Sequence, residues 1–253
     1  MSTTLSTTFA LVDYHNFHAR RIKSYPHPTR RSRIAQDTVD WVVDNIATTL
    51  TACFKRTKKT PSVVNIRLYG GWHTGPYPTD DAKMVEIATR KIPKRAKAFP
   101  TRLVFQLATS LIDLPHISII DTLRPRESYP RFTVTPPIKN CQSLSNCSLV
   151  QVASILKREA CDRVGCNVTM REATSIMEQK CVDILISSDL ISLARDNDDA
   201  VLITEDLDLV PAVLKAQCNT KGSLTWICDS LTKTGYYTSA LEAIGVKIEP
   251  ATS

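Results

Sequence analysis

Glycine is scarce in this chain, 7 residues of 253, about 3% where globular proteins average ~7%. Collagen-like and glycine-rich disordered chains are thereby excluded. No G-x-S-x-G, P-loop or G-x-G-x-x-G element occurs, which disfavours serine hydrolases and nucleotide-fold ATPases. Long apolar runs are missing too. The longest uncharged apolar stretch, Leu103 to Ile112, falls far short of the ~20 residues a membrane span needs. The opening MSTTLSTTFALVD lacks a basic segment, and Asp13 interrupts its apolar run, so no signal peptide is expected. The expectation is a soluble, cytoplasmic protein with no membrane partner.

Cysteine is not scarce, with 8 residues, but the disulfide argument belongs to short secreted chains, so free thiols are expected. Cys53, Cys218 and Cys228 fall in apolar-periodic segments and read as small core residues. The set Cys141, Cys147, Cys161 and Cys166 is spaced more widely than zinc sites usually are. A straight helix over Ser148 to Ala160 would hold Cys147 and Cys161 ~21 Å apart. A structural zinc is therefore not expected.

Lys and Arg number 32 against 25 Asp and Glu, a net charge of +7. The excess is clustered. Arg20, Arg21, Lys23, Arg30, Arg31 and Arg33 form one run, Lys55 to Lys59 a second, and Arg90, Lys91, Lys94, Arg95 and Lys97 a third. Solvated helix ends and loops account for most such runs in general. Three of them within the first hundred residues favour a phosphate-binding surface.

The apolar pattern alternates between two periods. Phe9 to Val12 reads as a strand buried on both faces, and Gln36 to Phe54 as an amphipathic helix. Ser62 to Tyr69 is strand-like, and Asp80 to Lys91 reads as a helix closed by Pro93. Leu103 to Ile112 fits strand or helix, and His116 to Asp121 is strand-like. From Thr122 to Lys180 prolines loosen the pattern, and this stretch reads as an insertion. Order returns with a helix at Val182 to Ala194, a strand at Ala200 to Thr204 and a helix at Leu207 to Gln217. A strand at Leu224 to Cys228, a helix at Ser239 to Ile244 and a strand at Val246 to Glu249 follow. Strands alternating with helices predict an α/β fold with a central parallel sheet covered on both faces. The expected organisation is one domain over 1–253, with a disordered tail at 1–8 and an elaborated lobe at 122–180.

In open parallel sheets the functional crevice lies beyond the carboxyl ends of the strands. Asp13 and Asn16 follow the first strand, and Glu205, Asp206 and Asp208 follow the strand at 200–204. Asp183 and Asp189 lie on the helix leading into that strand. A lone aspartate after a strand is more often a helix cap than a ligand. Several converging on one rim would repel each other, and Mg²⁺ or Mn²⁺ with oxygen ligands would resolve that conflict. Asp183 and Asp189 stand ~120° apart around a helix and cannot both face one ion. Counting back along that helix from Arg195 puts Asp183 near its top, so Asp183 is the favoured ligand and Asp189 the second choice, through water.

Two blocks, together about 45 residues, carry a resemblance. The first is Phe9-Ala-Leu-Val-Asp13-Tyr-His-Asn16-Phe. The second runs Glu178-Gln-Lys-Cys-Val-Asp183-Ile-Leu-Ile-Ser-Ser-Asp189-Leu, Leu193-Ala-Arg-Asp, and Ala200-Val-Leu-Ile-Thr-Glu-Asp206-Leu-Asp208-Leu-Val-Pro211. They resemble the NYN family of PIN-like nuclease domains. The resemblance implies a PIN-like three-layer α/β/α sandwich and metal-dependent cleavage of RNA. By position, Asp13, Asp183, Asp206 and Asp208 would hold the metal, with Asp189 among the acidic positions. Asn16 would orient Asp13 or the substrate. Independently of the resemblance, the charge clusters put Arg20, Arg21, Arg30, Arg31, Arg33, Lys94 and Arg95 forward to bind flanking phosphates. The family usually has a small residue where Glu205 stands, and its domains are usually compact where this chain carries 122–180.

Three readings follow. The first is a ribonuclease using Mg²⁺ or Mn²⁺, with RNA as partner and a homo-oligomer compatible with the sequence. The second is an inactive RNA-binding or scaffold module on the same fold. The third is a phosphatase or phosphotransferase of another α/β class, with Asp13 as nucleophile. His15 and His18 read as loop residues near the substrate.

Overall fold

The computed structural model describes residues 6–21, 34–95, 101–126, 164–169, 177–196, 198–234 and 236–251. The elements run β1 (Thr7–Asp13), α1 (Tyr14–Arg21), α2 (Ile34–Thr57), β2 (Val63–Tyr69), the small hairpin β3 (His73–Thr74) and β4 (Tyr77–Pro78), α3 (Asp80–Arg95) and β5 (Arg102–Leu107). After β6 (Leu123–Pro125) and β7 (Met177–Gln179) come α4 (Val182–Arg195), β8 (Asp199–Ile203) and a single 3₁₀ turn (Leu207–Leu209). The chain closes with α5 (Val210–Asn219), β9 (Leu224–Ile227), α6 (Asp229–Thr234), α7 (Tyr236–Ala243) and β10 (Lys247–Glu249).

Six strands form one parallel sheet in the order β10-β9-β8-β1-β2-β5. The chain fills one half outward from β1, then returns to the other side of β1 and fills the second half. That reversal between β1 and β8 leaves a crevice outside their carboxyl ends, where ligands of such sheets bind.

Strand alternation assigns the faces. Ala10 and Val12 of β1, with Val64, Ile66 and Leu68 of β2, pack against Val39, Val42, Val43, Ile46 and Leu50 of α2 and Val85, Ala88 and Ile92 of α3. Leu11 points the other way, to Leu185, Ile186 and Leu190 of α4 and Val213 and Ala216 of α5. The result is a mixed α/β fold, its parallel sheet flanked by helices. Asp13 has the parity of Leu11, so its carboxylate belongs to the α4 side. No helix among the described residues is long and apolar enough to cross a membrane.

Several elements differ from their sequence expectation. α3 runs through Pro93 to Arg95. A proline this close to the end forfeits one backbone hydrogen bond, and the buried face of Ala82, Val85, Ala88 and Ile92 holds the helix regardless. His116 to Asp121 is loop rather than strand; Ile117 and Ile120 are exposed there. β1 starts at Thr7, inside the expected tail, because the Ser6 carbonyl accepts from Ser62 and Val63. Cys53 and Cys228 are buried, but Cys218 is exposed: the core face of α5 carries Val210, Val213 and Ala216, and Cys218 turns away from it.

The chain divides into two compact units, Met1–Leu123 with Gln179–Ser253, and Arg124–Glu178. Within the second, Arg126 pairs with Glu178 at 3.8 Å. The helix expected over Ser148 to Ala160, with Cys141, Cys147 and Cys161, lies outside the described residues.

Candidate active site at the carboxyl rim

Asp13 ends β1 directly above the reversal point. It is only 6% exposed, and one carboxylate oxygen accepts from the Asn16 amide at 3.1 Å. That is an N-cap of α1, which Tyr14 begins. The register places Val12 beside Ile203, so the residue just after β8, Thr204, reaches the second oxygen and donates its hydroxyl at 3.2 Å. The same hydroxyl accepts from the Asp206 amide at 3.0 Å. The buried Trp226 indole fastens the Thr204 carbonyl at 3.0 Å. Thr204 thus joins the two acidic segments, a role not expected from the sequence; its one signal is its place between a buried strand and an acidic run.

Asp206 caps the 3₁₀ turn, its side chain accepting from the Asp208 amide at 2.9 Å. Asn16 closes the arrangement, accepting from the Glu205 amide at 3.2 Å. Asp183 sits in the first turn of α4 and Asp208 is exposed at the 3₁₀ turn. The extra carboxylate, Glu205, points outward. It accepts from the Asp229 amide at 2.9 Å and the Ser230 amide at 2.7 Å, capping α6 at the end of the neighbouring strand β9.

Four carboxylates therefore share the rim, and they repel one another. Burial pushes the Asp13 carboxyl up to about 6, against the Asn16 and Thr204 hydrogen bonds, and the charges of Asp183 and Asp206 add to the rise. Asp183 is also raised, by burial first and then by Asp206 and Asp208. A cap alone does not account for this. Capping favours the carboxylate form, yet here burial and like charges outweigh it. Among the described residues none of the four has an ion-pair partner, and no three His, Cys, Asp or Glu side chains are preset around one ion.

The raised Asp13 has a consequence for stability. Its ordinary value is 3.8 and its folded value about 6, so the folded chain binds that proton more tightly than the unfolded one. Its contribution is most favourable below pH 4, declines as pH rises through that window, and is flat above it, a change on the order of 3 kcal/mol. Asp13→Asn keeps the cap and removes the charge. The variant should unfold at higher urea than the parent at pH 7, with the difference shrinking toward pH 4 in parallel urea titrations.

Asp189 is not part of this group. It lies within the sheet–helix interface at 0% exposure, bonded to Tyr69, Arg67 and the Ile112 amide. Its turn away from Asp183 around α4 is what their six-residue separation dictates. His15 is half-buried with an unpaired Nε2, and burial holds it and His18 below the ordinary histidine value.

The basic residues divide. Arg20 and Arg21 end α1, which starts at the rim. Lys94 and Arg95 end α3, which starts on the rim side and descends ~21 Å to feed the amino end of β5; they stand at the opposite edge of the sheet from Asp13. Arg30, Arg31 and Arg33 lie outside the described residues. Compared with family models, curated proteins and solved structures, the chain matches none of them.

Proposed function

We propose that this chain is a metal-dependent ribonuclease with a PIN-like α/β/α sandwich, akin to the NYN domains its two acidic blocks resemble. The observation that carries the reading is the set of four mutually repelling carboxylates, from three separate segments, at the reversal of the sheet. Such a set is costly to fold and has an obvious use. Its hard oxygen donors fit Mg²⁺ or Mn²⁺. Asp13, Asp183 and Asp206 would hold the ion, with Asp208 at its margin. A bound ion would supply an activated water and offset charge on the scissile phosphate. Asn16 and Thr204 keep Asp13 and Asp206 in register, and Arg20 and Arg21 would meet flanking phosphates without regard to sequence.

An inactive RNA-binding module is the second reading. It is favoured by the cap roles of Asp13 and Asp206 and by the absence, among the described residues, of a preset ligand triad. The phosphotransferase reading is weakened because both oxygens of Asp13 already accept hydrogen bonds.

Incubating labelled RNA with the chain in Mg²⁺ or Mn²⁺, and again with EDTA, tests the proposal. Cleavage should require the ion. Undiminished cleavage in EDTA would refute the mechanism, and RNA binding without cleavage would favour the second reading. Replacing Arg30, Arg31 and Arg33 by Ala should also flatten the salt dependence of binding, by ~0.7 in slope for each phosphate no longer neutralised. Filter binding across a salt series would read this, and an unchanged slope would remove these residues from the RNA path.

A further inference from the structure

We propose that Asp189, held by Arg67 and Tyr69, is the positioning residue that fixes where Asp183 stands over Asp13. The inference rests on reading the rim as a metal-dependent nuclease site. Asp189 is wholly buried on α4, and its two oxygens meet two hydrogen-bond donors and one guanidinium. Tyr69 Oη donates to Oδ2 at 2.6 Å and the Ile112 amide to Oδ1 at 2.8 Å, while Arg67 pairs its charge with Oδ2 at 3.1 Å and donates Nε to Tyr69 Oη at 3.3 Å. Two of those three partners come from the carboxyl end of β2, where Tyr69 is the register partner of Asp13 on β1.

The geometry is a frame with two rigid legs. Asp13 and Tyr69 stand side by side on neighbouring strands. Asp189 and Asp183 stand ~9 Å apart along one helix. Fixing Asp189 on Tyr69 and Arg67 therefore fixes the distance between Asp183 and Asp13.

The helix needs such a hold, because its own start supplies little. Cys181, at the N-cap, makes no side-chain cap and adopts the left-handed backbone, φ 64°, a conformation uncommon for a residue other than glycine. Apolar packing of Leu185, Ile186 and Leu190 resists separation of α4 from the sheet but is tolerant of small slides along it. A buried carboxylate held by two directed donors and a guanidinium accepts one register, the best-attested use of buried charge. Arg67 also donates to the Ser110 carbonyl, and Asp113 meets Ser192 and Arg195 one turn further along α4. The segment after β5 is thereby clamped to the same helix.

Tyr69→Phe in the full chain tests this, since it keeps the ring and removes one donor. Amide hydrogen exchange without metal should quicken about tenfold from Leu185 to Ser188, the first hydrogen-bonded amides of α4, and stay unchanged in β1 and β8. Mn²⁺ affinity, read by electron paramagnetic resonance, should weaken about tenfold, as when partners of metal ligands are removed. RNA cleavage should lose kcat at constant KM, and Tyr69→Phe combined with Asp183→Asn should be no worse than Asp183→Asn alone. Unchanged exchange in α4, or losses from the two substitutions that simply add, would overturn the proposal. If the parent chain binds no Mn²⁺, the nuclease reading fails on that ground, and the exchange result alone decides the anchor.

Discussion

An Asp206→Asn variant is expected to cleave RNA about 10³-fold or more slowly than the parent, a loss of roughly 4 kcal/mol in transition-state stabilisation, with its unfolding curve nearly unchanged. The substitution separates two roles that the structure superimposes. As a cap, Asp206 accepts from the Asp208 amide, and asparagine caps a turn about as well as aspartate. Its own amide still meets Thr204. Only the negative charge beside Asp13 and Asp183 is removed. Single-turnover cleavage and urea unfolding of the same preparation would measure both roles. Full activity with an intact fold would make Asp206 a cap and nothing more.

The largest expected effect on stability lies away from the rim. Asp189→Asn should cost ~3–5 kcal/mol, because it leaves the Arg67 guanidinium buried beside a neutral partner. Arg67 is 6% exposed and Asp189 0%, so water cannot replace the missing charge. That cost is a large share of the ~5–15 kcal/mol by which a domain is typically stable. Asp183→Asn, six residues earlier on the same helix but exposed, should cost nothing or stabilise by relieving repulsion. Urea midpoints with unchanged slopes would establish the contrast. Equal midpoints for the two variants would mean that the buried pair contributes no net stability.

The contrast between those two aspartates also shows what could be read from the sequence. The strands and long helices were legible because their signals are local. β1 is a continuous apolar run, and the core face of α2 repeats from Val39 to Leu50. The convergence of Asp13, Asp183 and Asp206 follows from chain direction alone, since a parallel sheet brings the residues after its strands to one edge. The separation of Asp183 from Asp189 was legible as an angle. What Asp189 binds was not, because Tyr69 and Ile112 are 120 and 77 residues away in sequence. The fate of Glu205 was hidden for the same reason; its partners lie beyond the next helix and strand. α1 was missed because YHNFHARR carries no clear apolar period. Its start was nonetheless encoded in the Asp13 and Asn16 spacing, which is that of a cap and the amide it receives. His116 to Asp121 misled in the opposite sense: it carries apolar residues, but the segment pairs with no strand among the described residues and leaves Ile117 and Ile120 exposed.

A crystal of the full chain soaked in Mn²⁺ and measured at the manganese absorption edge tests the central claim most directly. One or two anomalous peaks are expected at the carboxyl rim, touched by Asp13, Asp183 and Asp206, with Asp189 still bonded to Tyr69 and Arg67. A fully occupied soak with no peak at that rim, or with manganese only elsewhere on the chain, would contradict a metal-dependent site there.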